Sequence, residues 1–489
     1  MRGAAERTLN AVRAFWPTGA PGWILLGLVV AGLVVRGFAA YAWSPTVHSL
    51  ADSSPYAGYA ASNPLDNPQH PAGYSAFLAM VGVVSREITV TMVLQGLLGL
   101  ASALLLFAAT RRIAGPWPAL VPAAVVLLGG DQVLLERAVM SETLFTFVLA
   151  AALYACVRAF EREEPWWGWP LAAGVLVALT ATVRSAGTFL VPVAVVALLF
   201  SRPRPWLPRW RPVAALAAGA AAVLIAYAGA NAAARGSFEL GPSQGWHLYS
   251  RAASFADCDL FTPPEGTEGL CEEKPPERRL GGSWYTFNPK SPVVREFGHI
   301  GNEDELVGQW AREAILSQPG SYLRLVWRDF RAFFVPTSHG GPLFSGHGLD
   351  PTLDWRVPLV FVDAHSRDTL RNTEAGIESF FDDFEIEIVP SALETLHDYQ
   401  RVFRFGATAL SACAILALLG LFVGPRRSRV GVFLLAAGSV ALLVSPAIAG
   451  IYVGRYTVPL AGPMAAAGAI AAVQLLRVER ARRAVGRSA

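Results

Sequence analysis

The chain has 489 residues, 53% of them hydrophobic and only 16% charged, with a mean hydropathy of +0.40. Soluble domains carry about a quarter charged residues, so this composition excludes a soluble enzyme and defines a polytopic membrane protein. The net charge of +3 gives no signal for a nucleic-acid partner, and the placement of the basic residues is more informative than their sum. Only Lys274 and Lys290 of the 40 basic residues are lysines, a bias that suggests a GC-rich bacterial genome rather than any chemistry.

Arg2, Arg7 and Arg13 precede the first apolar run, which reads as a retained helix because no small-residue cleavage site follows a short apolar core. Apolar stretches of spanning length then occur at 22–43, 88–110, 116–135, 143–160, 167–183, 185–200, 213–233, 406–423, 430–451 and 456–476, the sixth being the weakest. The segment 71–85 is about half a crossing long and begins with Pro and Gly, so it is expected to lie at the interface or re-enter on the outer side. With about ten spans, six basic clusters fall on one side: the N-terminal arginines, Arg111/Arg112, Arg158/Arg162, 202–211, 426–429 and the tail 477–487. The positive-inside rule makes that side the cytoplasm and puts both termini there. The expected architecture is therefore an all-α polytopic bundle with a mixed extracytoplasmic domain. Its parts are a membrane core over 1–234 with a first outer loop at 44–87, an outer domain over 235–400, and C-terminal helices with a basic cytoplasmic tail over 401–489.

Within the outer domain, 309–334 has apolar and aromatic residues at helical spacing. This predicts one helix to Ser317, a break at Pro319 and a second, Arg-rich helix, which either packs the domain or lies on the membrane surface. Cys258 and Cys271 both fall in this outer region, where an oxidising compartment lets them close a short loop worth roughly 3 kcal/mol. Cys156 and Cys413 lie in spans and read as inert core residues. No Cys or His spacing fits a metal site, and the pair Asp257/Asp259 around a disulfide cysteine is a weak signal. No cofactor is assigned, although acids near the outer phosphate position leave room for a divalent cation.

Ionisable residues near lipid usually have a partner or a task. Here Arg36, Asp131, Glu136, Arg137, Glu142, Arg184, Arg401, Arg404 and Arg455 gather towards the outer ends of the spans, while the inner halves carry almost none. A transporter or flippase of a lipid-linked glycan, the alternative reading, would place carboxylates near the midplane. An outer site on a lipid-linked substrate fits this distribution better. Nucleotides are not supplied on that face, so an activated sugar donor arrives attached to a lipid phosphate. Its transfer needs a base for the acceptor hydroxyl and cations for the leaving phosphate. Asp52 is the candidate base, with Arg36, Arg184, Arg404 and Arg455 as candidate cations. Bland readings stand beside these roles: Asp52 as a turn cap, Asp66 as a turn residue, Ser141–Glu142 as a helix N-terminus, His70 as a packing residue and Arg184 as an interface anchor.

Four motifs carry a resemblance. Asp52-Ser53 with Tyr56 and Ala60, followed by HPAGYSAFLA at 70–79, resembles the D-S-x-x-Y-x-x-x-A and R-P-P-G-Y-P-x-F-L-A signature of bacterial polyprenyl-phosphate-dependent glycosyltransferases of the GT-C superfamily, the group of protein mannosyltransferases and aminoarabinose transferases. MSETLF (140–145), LTATVRSAG (179–187) and GRYTVPLAGP (454–463) resemble later motifs of the same group, in the same order. The resemblance implies that Asp52 is the base, that the sugar is transferred with inversion, and that the donor is a polyprenyl-phosphate sugar in the bacterial cytoplasmic membrane. The acceptor would be a lipid, polysaccharide or protein. The candidate substrate- and phosphate-binding set is Arg36, Tyr56, His70, Tyr74, Glu142, Arg184, Arg404, Arg455 and Tyr456. Departures occur at Gln69-His70, Ala72, Ser75 and Ser185, where the group carries Arg or Pro, and they bear on loop geometry and phosphate contacts. A non-catalytic assembly role for the outer domain is a third reading, in which Asp52 is dispensable.

Overall fold

The computed structural model describes residues 18–46, 52–161, 165–201, 208, 210–335, 376–450 and 454–486. The terminal basic residues Arg2, Arg7, Arg13 and Arg487 and the inter-span arginines Arg162, Arg202, Arg204 and Arg209 lie outside the described residues.

Every expected apolar stretch is helical. Among the described residues seven helices are long and apolar enough to cross a membrane, including Ala20–Ala42, Ile88–Ala114, Glu142–Ala159, Trp210–Arg235 and Arg426–Ala449. Pro116–Leu128, Gly168–Val183 and Ser185–Phe200 are shorter apolar helices. The stretch 116–135 is not one continuous helix. It breaks at Gly129, whose extended backbone separates Pro116–Leu128 from Gly130–Leu135, and the Gly130 N–H leaves the helix ladder to donate to the Phe403 carbonyl at 2.7 Å. The sixth stretch starts as a 3-10 turn, Ser185–Phe189, because Arg184 is extended and ends the preceding helix. One apolar core joins most of these helices, with Phe107, Leu127, Leu153, Leu443 and Ile470 buried in it.

The segment after the first helix forms two short helices, Ser53–Ala61 and Gly73–Gly82, joined by the 3-10 turn Pro64–Asp66. At ten residues, Gly73–Gly82 is about 15 Å long, half the thickness of a hydrocarbon core. This matches the expectation of a segment that does not cross. It docks through Gly73, where a Cβ would stand 2.5 Å from the Thr182 carbonyl oxygen.

The region after Arg235 has its own core around Trp246, Tyr249, Tyr285 and Trp310. Its regular elements among the described residues are helices and one two-residue strand, Glu387–Ile388, paired antiparallel with Trp43–Ser44. The helix pair is Asp304–Ser317 and Pro319–Ala332, broken where expected, because Pro319 opens the second helix. Cys258 and Cys271 are disulfide-bonded.

A buried ion pair ties the first helix to the segment that follows Gly129. Arg36 donates from Nε and Nη2 to the two Glu136 oxygens, both at 2.7 Å, and from Nη1 to the Leu127 carbonyl at 2.8 Å. Gly99 makes room, since a Cβ there would stand 1.8 Å from Glu136 Oε1. Glu136 is 1% exposed and Arg36 11%, so removing one partner leaves the other charge stranded. Arg36→Met is expected to lower stability by about 3 kcal/mol or more, read as thermal unfolding in detergent, with Arg36→Met/Glu136→Met recovering most of the loss. A double variant as unstable as the single one would contradict this account of the pair.

Candidate active site

Asp52 occupies the N-cap position of Ser53–Ala61 but makes no side-chain capping bond. Its carboxylate instead pairs through Oδ2 with Arg455, 403 residues away in sequence, and lies 3.6 Å through Oδ1 from His70 Nε2. Arg455 Nε reaches Glu142 Oε1 at 3.1 Å, and Arg184 Nη1 reaches the same oxygen at 2.9 Å. Glu142, in the first turn of Glu142–Ala159, is 1% exposed and bridges the two guanidiniums. Tyr456 presents its ring to both, with Arg184 4.7 Å and Arg455 6.0 Å from its centroid.

A second layer holds these groups. The Tyr56 hydroxyl donates to Ser141 Oγ at 3.0 Å, which also accepts from Arg184 Nη1 at 2.9 Å. His70 stacks on Tyr56 with centroids 4.6 Å apart, and Tyr74 meets Tyr56 edge-on at 4.8 Å. Asn67 Oδ1 accepts from the Gln69 and His70 N–H groups, which shapes the turn presenting the imidazole. Tyr74 donates to Gln95 Oε1 at 2.8 Å, and the Gln95 amide donates to the Glu136 and Ala138 carbonyls. The short helices are thereby tied to the segment that leads into Ser141–Glu142.

Electrostatics follow from this geometry. Burial alone would raise the Asp52 carboxyl, but Arg455, His70 and Arg184 outweigh it and hold the group far below the ordinary carboxylate range. Burial pushes the Tyr56 phenol above its ordinary value, so it serves as a donor rather than an anion.

The structure thus brings together Asp52, Tyr56, His70, Tyr74, Glu142, Arg184, Arg455 and Tyr456. It does not bring in Arg36, which is spent on Glu136, or Arg404, whose Nε pairs with Asp131 Oδ2 at 3.1 Å beside Gln400. Both arginines were expected among the phosphate cations because they sit at the outer span ends; their carboxylate partners, 100 and 273 residues away in sequence, were not visible as partners. Asp66 is an exposed turn residue, and Asp257 accepts from the Asp259 N–H in a local turn. Among the described residues no three His, Cys, Asp or Glu side chains converge as a metal-holding group. Sequence reasoning missed Ser141, Asn67 and Gln95 as contributors. A lone glutamine inside an apolar span was the signal for Gln95, whereas Ser141 was hidden behind its helix-start reading.

Residues 69–228 match the model of the dolichyl-phosphate-mannose-protein mannosyltransferase family. The matched stretch contains His70, Tyr74, Glu142 and Arg184. The match covers 160 of the 489 residues (69 to 228), and Asp52 and Arg455 lie outside it. Among solved structures the chain is similar to the S. cerevisiae protein O-mannosyltransferase Pmt1–Pmt2 complex bound to the sugar donor (16% identity, TM-score 0.37, 50% of this chain and 36% of that one). It is also similar to the Archaeoglobus fulgidus oligosaccharyltransferase (12%, 0.43, 95% and 52%) and to ArnT from Cupriavidus metallidurans bound to undecaprenyl phosphate (14%, 0.37, 92% and 78%). The chain thus spans about a third and about half the length of the first two. The search of curated proteins found no match.

His247, in the outer helix Gln244–Ala252, faces the same loop. Burial and the neighbouring His70 hold it down at about 4 against an ordinary 6.5, opposed by a hydrogen bond with the Gln69 backbone. The unfolded chain therefore binds a proton that the folded chain rejects. Stability is expected to fall as pH drops from about 6.5 to about 4, by up to about 3 kcal/mol. His247→Gln should flatten that part of a pH–stability curve measured in detergent, and an unchanged slope would assign the acid sensitivity elsewhere.

Proposed function

We propose that the protein transfers a sugar from a polyprenyl-phosphate donor to a hydroxyl acceptor at the outer face of the bacterial cytoplasmic membrane, with inversion, and that Asp52 is the general base. The observation that carries this reading is the row Asp52–Arg455–Glu142–Arg184, in which two carboxylates alternate with two guanidiniums. A donor phosphate seated on Arg455 and Arg184 has its leaving oxygen stabilised by both cations. An acceptor hydroxyl held by Asp52 Oδ1 attacks the anomeric carbon from the side opposite that phosphate. The O–H proton passes to Asp52, the new glycosidic bond forms, and the anomeric C–O bond breaks with its electron pair leaving on the polyprenyl phosphate. A single displacement of this kind inverts the anomeric centre.

The Asp52–Arg455 pair adds an order to these events. While Arg455 lies on Asp52, the carboxylate is a weak base. Donor phosphate draws Arg455 away, and loss of that cation raises the proton affinity of Asp52 as the donor arrives. Glu142, buried between the guanidiniums, holds Arg184 and keeps Arg455 beside it as Arg455 turns from Asp52 to the phosphate. The outer region over 235–400 carries acceptor choice in this reading.

The test is sugar transfer by the purified protein from a panel of synthetic polyprenyl-phosphate sugars, with a crude envelope extract as acceptor. Asp52→Asn is expected to lower transfer by roughly 100- to 10,000-fold while the protein still unfolds in one cooperative transition in detergent. Transfer within tenfold of wild type in that variant would remove Asp52 from the role of base.

A further inference from the structure

At the end of the bundle opposite Asp52, three guanidiniums from three helix ends converge on one carboxylate. Glu161 Oε2 receives Arg112 at 2.5 Å and Arg158 at 3.2 Å, while Oε1 receives Arg427 at 2.6 Å. Arg112 closes Ile88–Ala114, Arg158 closes Glu142–Ala159, and Arg427 opens Arg426–Ala449. Glu142 and Arg158 cap the two ends of the same helix, about 24 Å apart at 1.5 Å per residue, so the cluster faces the other leaflet. Gly431 allows this convergence. A Cβ there would stand 2.7 Å from Ile113, and its absence lets the Arg427 turn close on the Arg112 turn.

We propose that this cluster binds the headgroup of an anionic phospholipid carrying two phosphates. The charge balance favours such a ligand. Among the described residues these helix ends carry Arg111/Arg112, Arg158, Arg426/Arg427 and Arg429 against Glu161, six arginines to one glutamate, an excess of five positive charges. The positive-inside rule accounts for the sign of this face. It does not account for three guanidiniums from separate helices held rigidly on one acid. Arg158 is also clamped over the Trp169 ring at 4.2 Å, and Arg426 Nε donates to the Phe200 carbonyl at 2.8 Å, so a further helix end joins the array. Arg427 Nε is buried without a hydrogen-bond acceptor. Trp167, 48% exposed in the same turn as Trp169, supplies the aromatic surface typical of the headgroup level. A basic cluster of helix ends beside such a surface suits a diphosphate headgroup, whose acyl chains would lie along the apolar helices.

The experiment titrates the full chain in detergent with cardiolipin, phosphatidylglycerol, phosphatidylcholine and inorganic phosphate, and reads binding by native mass spectrometry. Cardiolipin is expected to bind at least about tenfold more tightly than phosphatidylglycerol, and millimolar inorganic phosphate should not displace it. Arg427→Gln should weaken cardiolipin about fivefold, the effect of one arginine at a membrane surface. Glu161→Gln should tighten it, because the competing acid is gone. Both variants break the same ion pair, so a folding defect would act in one direction in both. If they weaken binding alike, the cluster only joins helices and the proposal fails. Displacement by inorganic phosphate would identify a free-anion site instead, and equal binding of phosphatidylcholine would reduce the interaction to apolar contact; either result overturns the proposal.

Discussion

The Asp52 carboxylate and the Arg455 guanidinium pair across 403 residues of sequence, and the arrangement of the bundle's outer end serves that meeting. Asp52 enters from the loop after the first helix, and Arg455 from the turn that opens the last one. For them to meet, the short helices Ser53–Ala61 and Gly73–Gly82 must lie flat over the bundle, which requires the Gly73 backbone to touch that of Thr182. Placing the pair beside lipid also requires that no charge in it be left bare. Glu142 and Arg184 complete a balanced row of two carboxylates and two guanidiniums, so in the proposed reaction an anionic donor phosphate would enter by displacing Asp52 from Arg455 rather than by adding to an existing excess.

The outer region contributes to this placement from the far side of Arg455. The last carbonyls of an α-helix lack partners within it. In Arg426–Ala449 two of them are taken by outer-region side chains: Arg251 donates to the Ala447 carbonyl at 2.8 Å and Tyr322 to the Ile448 carbonyl at 3.0 Å. Arg251 is itself held by Asp329 at 2.5 Å and is 4% exposed. The chain reaches Arg455 a few residues beyond this cap. A cation at a helix C-terminus is also favoured by the helix dipole. Arg251 and Tyr322 thus fix the end of the helix that precedes the Arg455 turn, which links the region proposed to choose the acceptor to the candidate site.

Much of this fold was legible in the sequence because it is written in local patterns. Every apolar stretch of spanning length became helix, the half-length segment after His70 became a short helix, and the break at Pro319 fell where a proline must start a new helix. Asp52, Glu142, Arg184 and Arg455 were legible as a set because ionisable residues beside lipid are few. What the sequence could not give was pairing. Arg36, Arg404, Arg184 and Arg455 look alike as arginines at outer span ends, and only the packing of distant helices assigns the first two to Glu136 and Asp131 and the last two to the candidate site. Ser141 and Gln95 were obscured for the same reason, since a serine at a helix start and a glutamine in an apolar run have ordinary local explanations until their partners are known. The small strand pair Trp43–Ser44 and Glu387–Ile388 had no signal at all, being two residues long on each side.

The most direct measurement is the affinity of a polyprenyl phosphate without sugar for the wild-type protein, Asp52→Asn and Arg455→Gln, determined in detergent above pH 6. If donor phosphate and Asp52 compete for Arg455, Asp52→Asn binds the lipid phosphate at least about tenfold more tightly than wild type, equivalent to about 1.4 kcal/mol, and Arg455→Gln binds it more weakly. Binding unchanged or weakened in Asp52→Asn would contradict the exchange and leave Arg455 a structural partner of the aspartate.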